Sequence, residues 1–341
     1  MKRHIITVGI LIGLVILVVV AVEVANVRLF VRIAINLCIM LVLVLGLQVF
    51  MGNSGILSFA HIGFMGVGAY TSAMLTIPLQ MRGMALPDLY PVLANVLLSP
   101  YITIIMGGLV AAAVAAAISY PLMRLSDAAA VITSFALLVV LHTIMLHWSE
   151  VTNGPRTLFG IPKVTNLYLA ATVAAVAIVA ALAFKESRLG ILVRATRDDE
   201  VAAAAMGANI PNLRWIAFII SALFAGIGGA LWGHFITSFS PKAFYLKETF
   251  VILGMLVIGG PRTVTGAVFG VFIVTIAFEA LRALEGMINQ AQIFSEQVAG
   301  VTEIVLALAM IAVLVFRPGG LLTTREIGDM IVHGRNKRGE K

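Results

Sequence analysis

Long apolar segments separated by short charged stretches dominate the sequence and restrict the folds that it can adopt. Hydrophobic residues make up 61% and charged residues only 11% of the 341 residues. A water-soluble globule of this size needs more polar surface than that to cover its exterior. A helix that crosses the bilayer core needs roughly 20 mainly apolar residues, and many of the segments approach that length. The sequence therefore predicts an all-α integral membrane protein.

About ten segments meet or approach the length of a membrane-spanning helix. They lie at residues 5–25, 33–51, 55–77, 101–120, 127–148, 167–184, 215–237, 246–259, 264–282 and 301–316. The first is longer than a signal-peptide core and is predicted to be a retained span. The Gly-rich segment 55–77 and the short segment 246–259 could each be a broken or re-entrant helix. We expect a single polytopic transmembrane domain at 1–320 and a short tail at 321–341.

The distribution of Lys and Arg predicts the orientation in the membrane. If the N-terminus is cytoplasmic, ten spans place 15 of the 23 basic residues on the inner side. Cytoplasmic loops are enriched in Lys and Arg, so this arrangement is favoured, although Arg28 and Arg32 oppose it. The prediction is that both termini and the loop 185–214, between spans six and seven, are cytoplasmic.

The loop 185–214 is a charged island with the signals of a short helix. Thr196 followed by Asp199 fits a capping box, and the acidic run 198–200 suits a helix start. Alanines at 202–205 favour helix, and Gly207 can end it in a left-handed turn. These residues predict one exposed helix of roughly 9 residues that a soluble partner could bind.

Motifs for catalysis or nucleotide binding are missing from the sequence. No lysine follows a glycine, so there is no GxxxxGK[ST] phosphate loop, and the six histidines show no metal-site spacing. No G-x-S-x-G elbow occurs, and Cys38 is the only cysteine. The basic residues are spread over loop ends rather than over one face, which argues against nucleic acid. We predict no enzyme activity and no cofactor, so another chain must bind any ATP that drives transport.

Few ionisable groups are predicted at mid-membrane depth. The carboxylates near apolar segments fall close to span ends, and Glu279 is placed to pair with Arg282 one turn later. Ion-coupled carriers usually hold such groups deep in the membrane, where this sequence offers only His61. A stand-alone channel or secondary carrier for a small polar solute nevertheless remains an alternative.

Small and polar residues recur on one face of the third predicted span. Ser54, Ser58 and His61 share helical spacing, and the stripe continues through Gly68 and Ser72. Such a face could line the solute path, where hydroxyl groups meet water. It could equally bond neighbouring helices inside the bundle. Both interpretations stay open at this stage.

Two further spans carry small residues at every fourth position, which allows close helix contact. These positions are Ser221, Ala225, Gly229 and Gly233 on the seventh span, and Gly266 and Gly270 on the ninth. We interpret them as packing ridges. A role in gating, or in pairing with a second permease subunit, is the alternative.

Several blocks of sequence together resemble one known family. They read GNSGILSFAHIGFMGVGAY at 52–70, VTNGPRTLFGIP at 151–162, SRLGILVRATRDDEVAAAAMGANIPNLRWIAFIISALFAGIGGALWG at 187–233, ILGMLVIGGPRTVTGAVFG at 252–270 and FRPGGL at 316–321. The chain resembles the permease subunits of branched-chain amino acid ABC importers, and the M-type subunit more than the H-type. The block at 187–233 is the most specific of the five.

The resemblance implies a multi-subunit importer in the bacterial inner membrane. Its partners would be a sister H-type permease, two cytoplasmic ATPases that bind the ATP, and a periplasmic binding protein. It implies that the segment 194–207 is the coupling helix, which sits in a groove on the ATPase. The coupling residues would be Arg194, Arg197, Asp198, Asp199, Glu200, Ala204, Met206 and Gly207.

The resemblance also implies that Thr152, Asn153 and Gly154 form a periplasmic loop motif. In the family this motif is often followed by a small acidic pair, whereas Pro155 and Arg156 stand here. The coupling pattern differs too, because Glu200 is followed by Val and lies seven residues before the glycine. Branched-chain amino acids are the default solute, and urea, short amides or aromatic acids are alternatives within the family.

Overall fold

In the computed structural model, the described residues are 2–290, 300–317, 319–322 and 326–328. For Lys2, Arg3, Asp127, Glu303, Leu306 and Leu314 only the backbone is described. These parts of the chain contain helices, turns and one isolated bridge between Leu158 and Phe239, but no sheet. The predicted all-α class is confirmed.

The described chain forms fifteen α-helices. In order they are α1 (Lys2–Ala25), α2 (Arg28–Leu47), α3 (His61–Thr76), α4 (Leu79–Ala85), α5 (Pro91–Ala94), α6 (Pro100–Ile118), α7 (Asp127–His147), α8 (Ser149–Thr152), α9 (Leu167–Glu186), α10 (Arg188–Asp198), α11 (Glu200–Ala205), α12 (Ile210–Ile236), α13 (Leu246–Gly259), α14 (Val264–Gln290) and α15 (Val301–Phe316). A π-helical turn at Gln48–Gly52 extends α2.

Seven of these helices are long and apolar enough to cross a membrane, namely α1, α2, α6, α7, α9, α12 and α14. The other three predicted spans correspond to α3, α13 and α15, which have 16, 14 and 16 residues. A helix of 16 residues is about 24 Å long, which is less than the bilayer core. The predicted span 55–77 is wrong at its start, because residues 55–60 are not helical and α3 begins at His61.

The centre of the bundle is built around α12, which makes its most extensive contacts with α3, α6 and α2. Almost every residue of α3 is buried, as are the later turns of α2. In contrast, α1 exposes most of its apolar surface, as expected for a helix that faces lipid. The polar stripe predicted on the third span thus lies at the middle of the bundle.

Glycines allow the central helices to approach backbone to backbone. A Cβ atom on Gly229 of α12 would lie 1.9 Å from the carbonyl oxygen of Met65 on α3. A Cβ atom on Gly68 of α3 would lie 2.1 Å from the carbonyl oxygen of Gly226 on α12. Similarly, a Cβ on Gly270 of α14 would lie 2.0 Å from the Met255 carbonyl oxygen on α13. No side chain fits at these distances, so the close packing depends on glycine.

The other residues of the predicted ridges also lie at helix contacts. Ser221 and Ala225 are buried, and a Cβ on Gly233 would lie 3.0 Å from the Phe239 ring. A Cβ on Gly266 would lie 2.5 Å from the Gly260 carbonyl oxygen. These positions fit the packing interpretation.

The described residues after 320 fold back onto the membrane helices. Leu321 N donates to Ile258 O at 2.9 Å, and Leu322 N donates to Gly259 O at 3.0 Å. Glu326 is buried, and Gly328 N donates to Thr7 Oγ1 at 3.1 Å. The start of the predicted polar tail is therefore part of the packed structure, and the remainder of 321–341 lies outside the described residues.

Candidate coupling site and translocation path

The loop 185–214 contains two short helices rather than the single predicted one. Asp199 has an extended backbone and separates α10 from α11. Its side chain caps α11, because Ala202 N donates to Asp199 Oδ1 at 2.9 Å. The predicted Thr196 cap is wrong: Thr196 is buried within α10 and donates to the Val193 carbonyl at 2.8 Å.

The end of α11 follows the predicted glycine stop. Gly207 has a φ of +85°, in the left-handed region. Gly207 N donates to Ala204 O at 2.9 Å, and Ala208 N donates to Ala203 O at 3.1 Å. This pair of bonds is a Schellman motif. Both ends of α11 are thus fixed by local hydrogen bonds.

Two of the predicted coupling residues on α10 contact the permease itself. Arg197 Nη1 donates to the Gly52 carbonyl oxygen at 2.8 Å. The aliphatic part of Arg197 covers Gly55, where a Cβ would lie 2.7 Å from Arg197 Cγ. Arg194 reaches Asn53 Oδ1 at 3.5 Å and also donates to the Lys185 carbonyl. These arginines anchor α10 against the segment that follows α2.

Glu200 also points toward the bundle, where it anchors α11. Arg214 Nη2 donates to Glu200 Oε2 at 3.0 Å, and Ser126 Oγ donates to Glu200 Oε1 at 3.2 Å. Arg214 is buried at the start of α12, so the pair is partly shielded from water. Sequence reasoning missed Arg214 and Ser126 as parts of this site, because Arg214 lies on α12 and Ser126 lies just before α7.

The remaining predicted coupling residues are part of the outward surface of this loop. Asp198, Asp199, Ala204, Met206 and Gly207 are exposed. Met206 is 89% exposed, and no atom lies within 4 Å of a Cβ placed on Gly207. This surface presents carboxylates in the same loop as the exposed Met206 side chain.

Val201, which the sequence analysis did not select, is another exposed apolar residue of this loop. It is 81% exposed on α11, and Met206 follows the end of that helix. Two large apolar side chains in one short, braced loop are thus nearly fully exposed. The sequence feature that could have identified Val201 and Met206 together is that both are large aliphatic residues within a charged loop. We call Asp198, Asp199, Val201, Ala204 and Met206 the outward coupling surface.

A buried carboxylate ties the base of this loop to α14. Glu326 Oε1 accepts from Val264 N at 2.9 Å, and Glu326 Oε2 accepts from Thr265 N at 2.9 Å. The same carboxylate pairs with the Lys185 ammonium at the end of α9. Glu326 thereby caps α14, where the helix dipole favours a negative charge. Arg194 donates to the carbonyl of the same Lys185, so α10 joins this cluster.

The electrostatics of the cluster favour the charged form of Glu326. Burial raises the pKa of the carboxyl group, but the Lys185 charge and the hydrogen bonds from Lys185 and Thr265 outweigh it. The net effect lowers the pKa of Glu326 below its ordinary value. The ion pair is therefore intact at neutral pH.

The predicted path residues lie inside the bundle, and most have protein partners. His61 Nε2 is hydrogen-bonded to Ser221 Oγ on α12, which in turn donates to the Gly46 carbonyl. Ser72 is hydrogen-bonded to Thr103 and to His234, each at 2.9 Å. Gly68 is the residue at which α3 packs directly against the backbone of α12 at Gly226. These contacts fit the interpretation that the stripe bonds neighbouring helices.

The two serines before α3 behave differently from each other. Ser54 Oγ accepts from Ile56 N at 3.2 Å and stabilises the turn there. Ser58 is buried, and its hydroxyl has no hydrogen-bond partner among the described residues. A path-lining role for the stripe remains a prediction.

Thiol labelling tests the buried location of the stripe. In a Cys38→Ala background, we expect Ser58→Cys and Ser72→Cys to react with water-soluble thiol reagents far more slowly than Lys163→Cys. Both serines are buried, whereas Lys163 is exposed. Labelling of either buried position as fast as Lys163→Cys would show that water reaches this face and would favour the path interpretation.

The predicted periplasmic motif is a compact turn on the end of α7. Thr152 Oγ1 donates to the carbonyl oxygens of Met145 and Trp148, each at 2.7 Å. Asn153 and Gly154 have positive φ values of 64° and 61°. Thr152 and Asn153 are buried, so the motif shapes the loop rather than forming its outer surface.

Comparisons with known proteins agree with the architecture. The family model described as "Branched-chain amino acid transport system / permease component" matches residues 29–314. The high-affinity branched-chain amino acid transport system permease protein LivM of Escherichia coli (strain K12) is 27% identical over 314 residues, covering 82% of this chain and 67% of that protein. The protein of the same name from Salmonella typhimurium matches with the same identity and coverage. No solved structure gives a significant match.

Proposed function

The chain belongs to the family of branched-chain amino acid transport permeases, and from that premise we propose that it is the M-type permease subunit of an ABC importer. It would form the translocation path with a sister H-type permease. Two cytoplasmic ATPase subunits would drive the path, and a periplasmic binding protein would deliver the solute. Branched-chain amino acids are the proposed solutes.

The outward coupling surface is the observation that carries this proposal. Val201 on α11 and Met206 directly after it are nearly fully exposed, and Asp198 and Asp199 add charge in the same loop. Exposed large apolar side chains in a charged loop suit a surface that a partner protein covers. Because the sequence contains no phosphate loop, we assign the surface to a separate ATPase subunit.

The internal bracing of α10 and α11 suits a lever. Arg197 ties α10 to Gly52, and Glu200 ties α11 to Arg214 at the start of α12. A push on α11 would therefore move α12, which packs against α3, α6 and α2. We propose that ATP-driven closure of the ATPases rearranges the bundle through this connection.

The membrane arrangement follows from the same proposal. The seven long helices would cross the inner membrane, and α3, α13 and α15 would complete about ten spans within the assembled bundle. Both termini and the loop 185–214 would then be cytoplasmic. This places the outward coupling surface on the side where ATP is available.

Reconstitution tests the proposed function. The chain is incorporated into liposomes alone, or together with the sister permease, the ATPases and the binding protein, and uptake of radiolabelled leucine is measured. We expect uptake only with all partners and hydrolysable ATP, and none with a non-hydrolysable ATP analogue. Leucine uptake by this chain alone would instead support a stand-alone channel or carrier. Liposomes without this chain are the control.

A further inference from the structure

A large cleft with mixed charges lies between α2, α13 and α14, near the start of α15. Its volume is about 620 Å³, within the roughly 300–1,000 Å³ that is typical of small-molecule sites. It lies at the end of α14 opposite Glu326, which is the outer side in the proposed orientation. The cleft combines apolar side chains with carboxylates and basic groups.

Two opposite charges in this cleft have no partner among the described residues. Glu279 and Arg282 lie one turn apart on α14, and the sequence places them to pair. They form no ion pair or hydrogen bond in the part of the chain that the structure describes. Glu279 lies about 22 Å along α14 from Val264, which is within the roughly 30 Å depth of a bilayer core counted from the start of the helix. Glu279 is half-buried, whereas Arg282 is exposed. Ionisable groups within a membrane-spanning segment usually mark a functional site.

A buried hydroxyl beside these charges is also unsatisfied. Thr275 lines the cleft one turn before Glu279 on α14, and its side chain is 4% exposed. Its hydroxyl has no partner among the described residues. A buried polar group without a partner costs free energy, so a ligand or water at this position would be favoured.

In contrast, the neighbouring carboxylate is already used by the fold. Glu285 accepts from Gly300 N at 3.1 Å and from Thr302 Oγ1 at 2.9 Å, which joins α14 to the start of α15. The same cleft is lined by Met40, Trp232, Val251 and Met255. The cleft therefore offers an apolar surface beside Glu279 and Arg282, and Lys247 and Glu248 also line it.

We propose that this cleft binds the zwitterionic head of an amino acid on its way into the translocation path. Arg282 would hold the solute carboxylate, and Glu279 would hold its ammonium group. The guanidinium fork matches carboxylate geometry. An aliphatic side chain would contact Met40 and Met255. The inference rests on the proposed import function, and it adds the residues and the solute chemistry that the permease itself recognises.

The test uses the complete importer in proteoliposomes, with leucine-loaded binding protein outside. We expect Arg282→Gln and Glu279→Gln to lower radiolabelled leucine uptake by about tenfold each, because each loses one charge-assisted contact. ATP hydrolysis stimulated by the loaded binding protein should persist, since neither residue lies near the outward coupling surface. Arg282→Lys, which keeps the charge, should recover much of the uptake.

Lys163→Gln is the matched control, because it removes an exposed basic charge outside the cleft. Wild-type uptake in both cleft variants would overturn this inference while leaving the import function intact. Loss of the sister subunit from the purified Arg282→Gln complex would also overturn it, because the cleft would then be a subunit interface. Failure of the wild-type complex to import leucine would instead count against the proposed function.

Discussion

Replacing Val201 and Met206 together by aspartate should abolish ATP-driven leucine uptake without reducing the amount of this chain in the membrane. The two side chains are 81% and 89% exposed, so the change removes little packing within the permease. Next to Asp198 and Asp199, two further carboxylates would place uncompensated charge in an apolar contact. Interface residues of this kind can contribute roughly 2 kcal/mol or more, and we expect about 30-fold weaker ATPase binding.

The measurement combines uptake in proteoliposomes with the amount of ATPase that co-purifies with this chain. Val92→Asp is the matched control, because Val92 is 84% exposed on α5, outside the loop 185–214. The control should leave both readouts unchanged. If the Val201 and Met206 variant retained both its ATPase and its uptake, the lever assignment to α11 would be wrong.

The overall fold could be predicted from hydropathy, but the positions of helix breaks could not. Apolar length located all seven long helices, because lipid requires each spanning segment to satisfy its own backbone. The segment 55–60 is apolar as well, yet it is irregular. Residues distant in sequence stabilise the backbone of this segment. The aliphatic part of the Arg197 side chain packs against Gly55, and Phe59 N donates to Ser134 Oγ at 3.2 Å. Hydropathy carries no information about such contacts.

Within the candidate coupling site, local chemistry was predictable and side-chain direction was not. Gly207 ends α11 in the left-handed turn that its residue type favours. The acidic run also lies at a helix start, although Asp199 rather than Thr196 provides the cap. The sequence could not show that Arg197 and Glu200 face inward, because their partners, Gly52 and Arg214, lie on other elements.

Contacts between residues distant in sequence account for the rest of the site. His61 and Ser221 are 160 residues apart, and Lys185 and Glu326 are 141 apart. The stripe that contains His61 was visible as a helical pattern, but the pattern does not identify α12 as its neighbour. The structural role of Glu326 was even harder to predict, since this residue lies in a polar segment that resembles a solvated tail. Its role is evident only from the buried groups that surround it.

Glu326→Ala should destabilise the permease by roughly 3–5 kcal/mol and abolish uptake, because it leaves the Lys185 charge buried without a partner. It also removes the acceptor for Val264 N and Thr265 N at the start of α14. The measurement is thermal unfolding of the purified chain in detergent, together with uptake by the full complex. The matched control is Glu186→Ala, which breaks an exposed pair with His4 at 3.8 Å and should have little effect.

The pH dependence and a double variant separate stability from coupling in this cluster. Because the folded pKa of Glu326 is lowered, its contribution is present above the ordinary carboxyl pKa and is lost only as the pH falls through the lowered value. Stability from this pair should thus persist at mildly acidic pH.

Lys185→Met combined with Glu326→Gln removes both charges, and we expect this double variant to recover most of the stability. If uptake returns as well, the pair only holds the fold together; if uptake stays low in this stable variant, the ion pair transmits motion from α10 to α14.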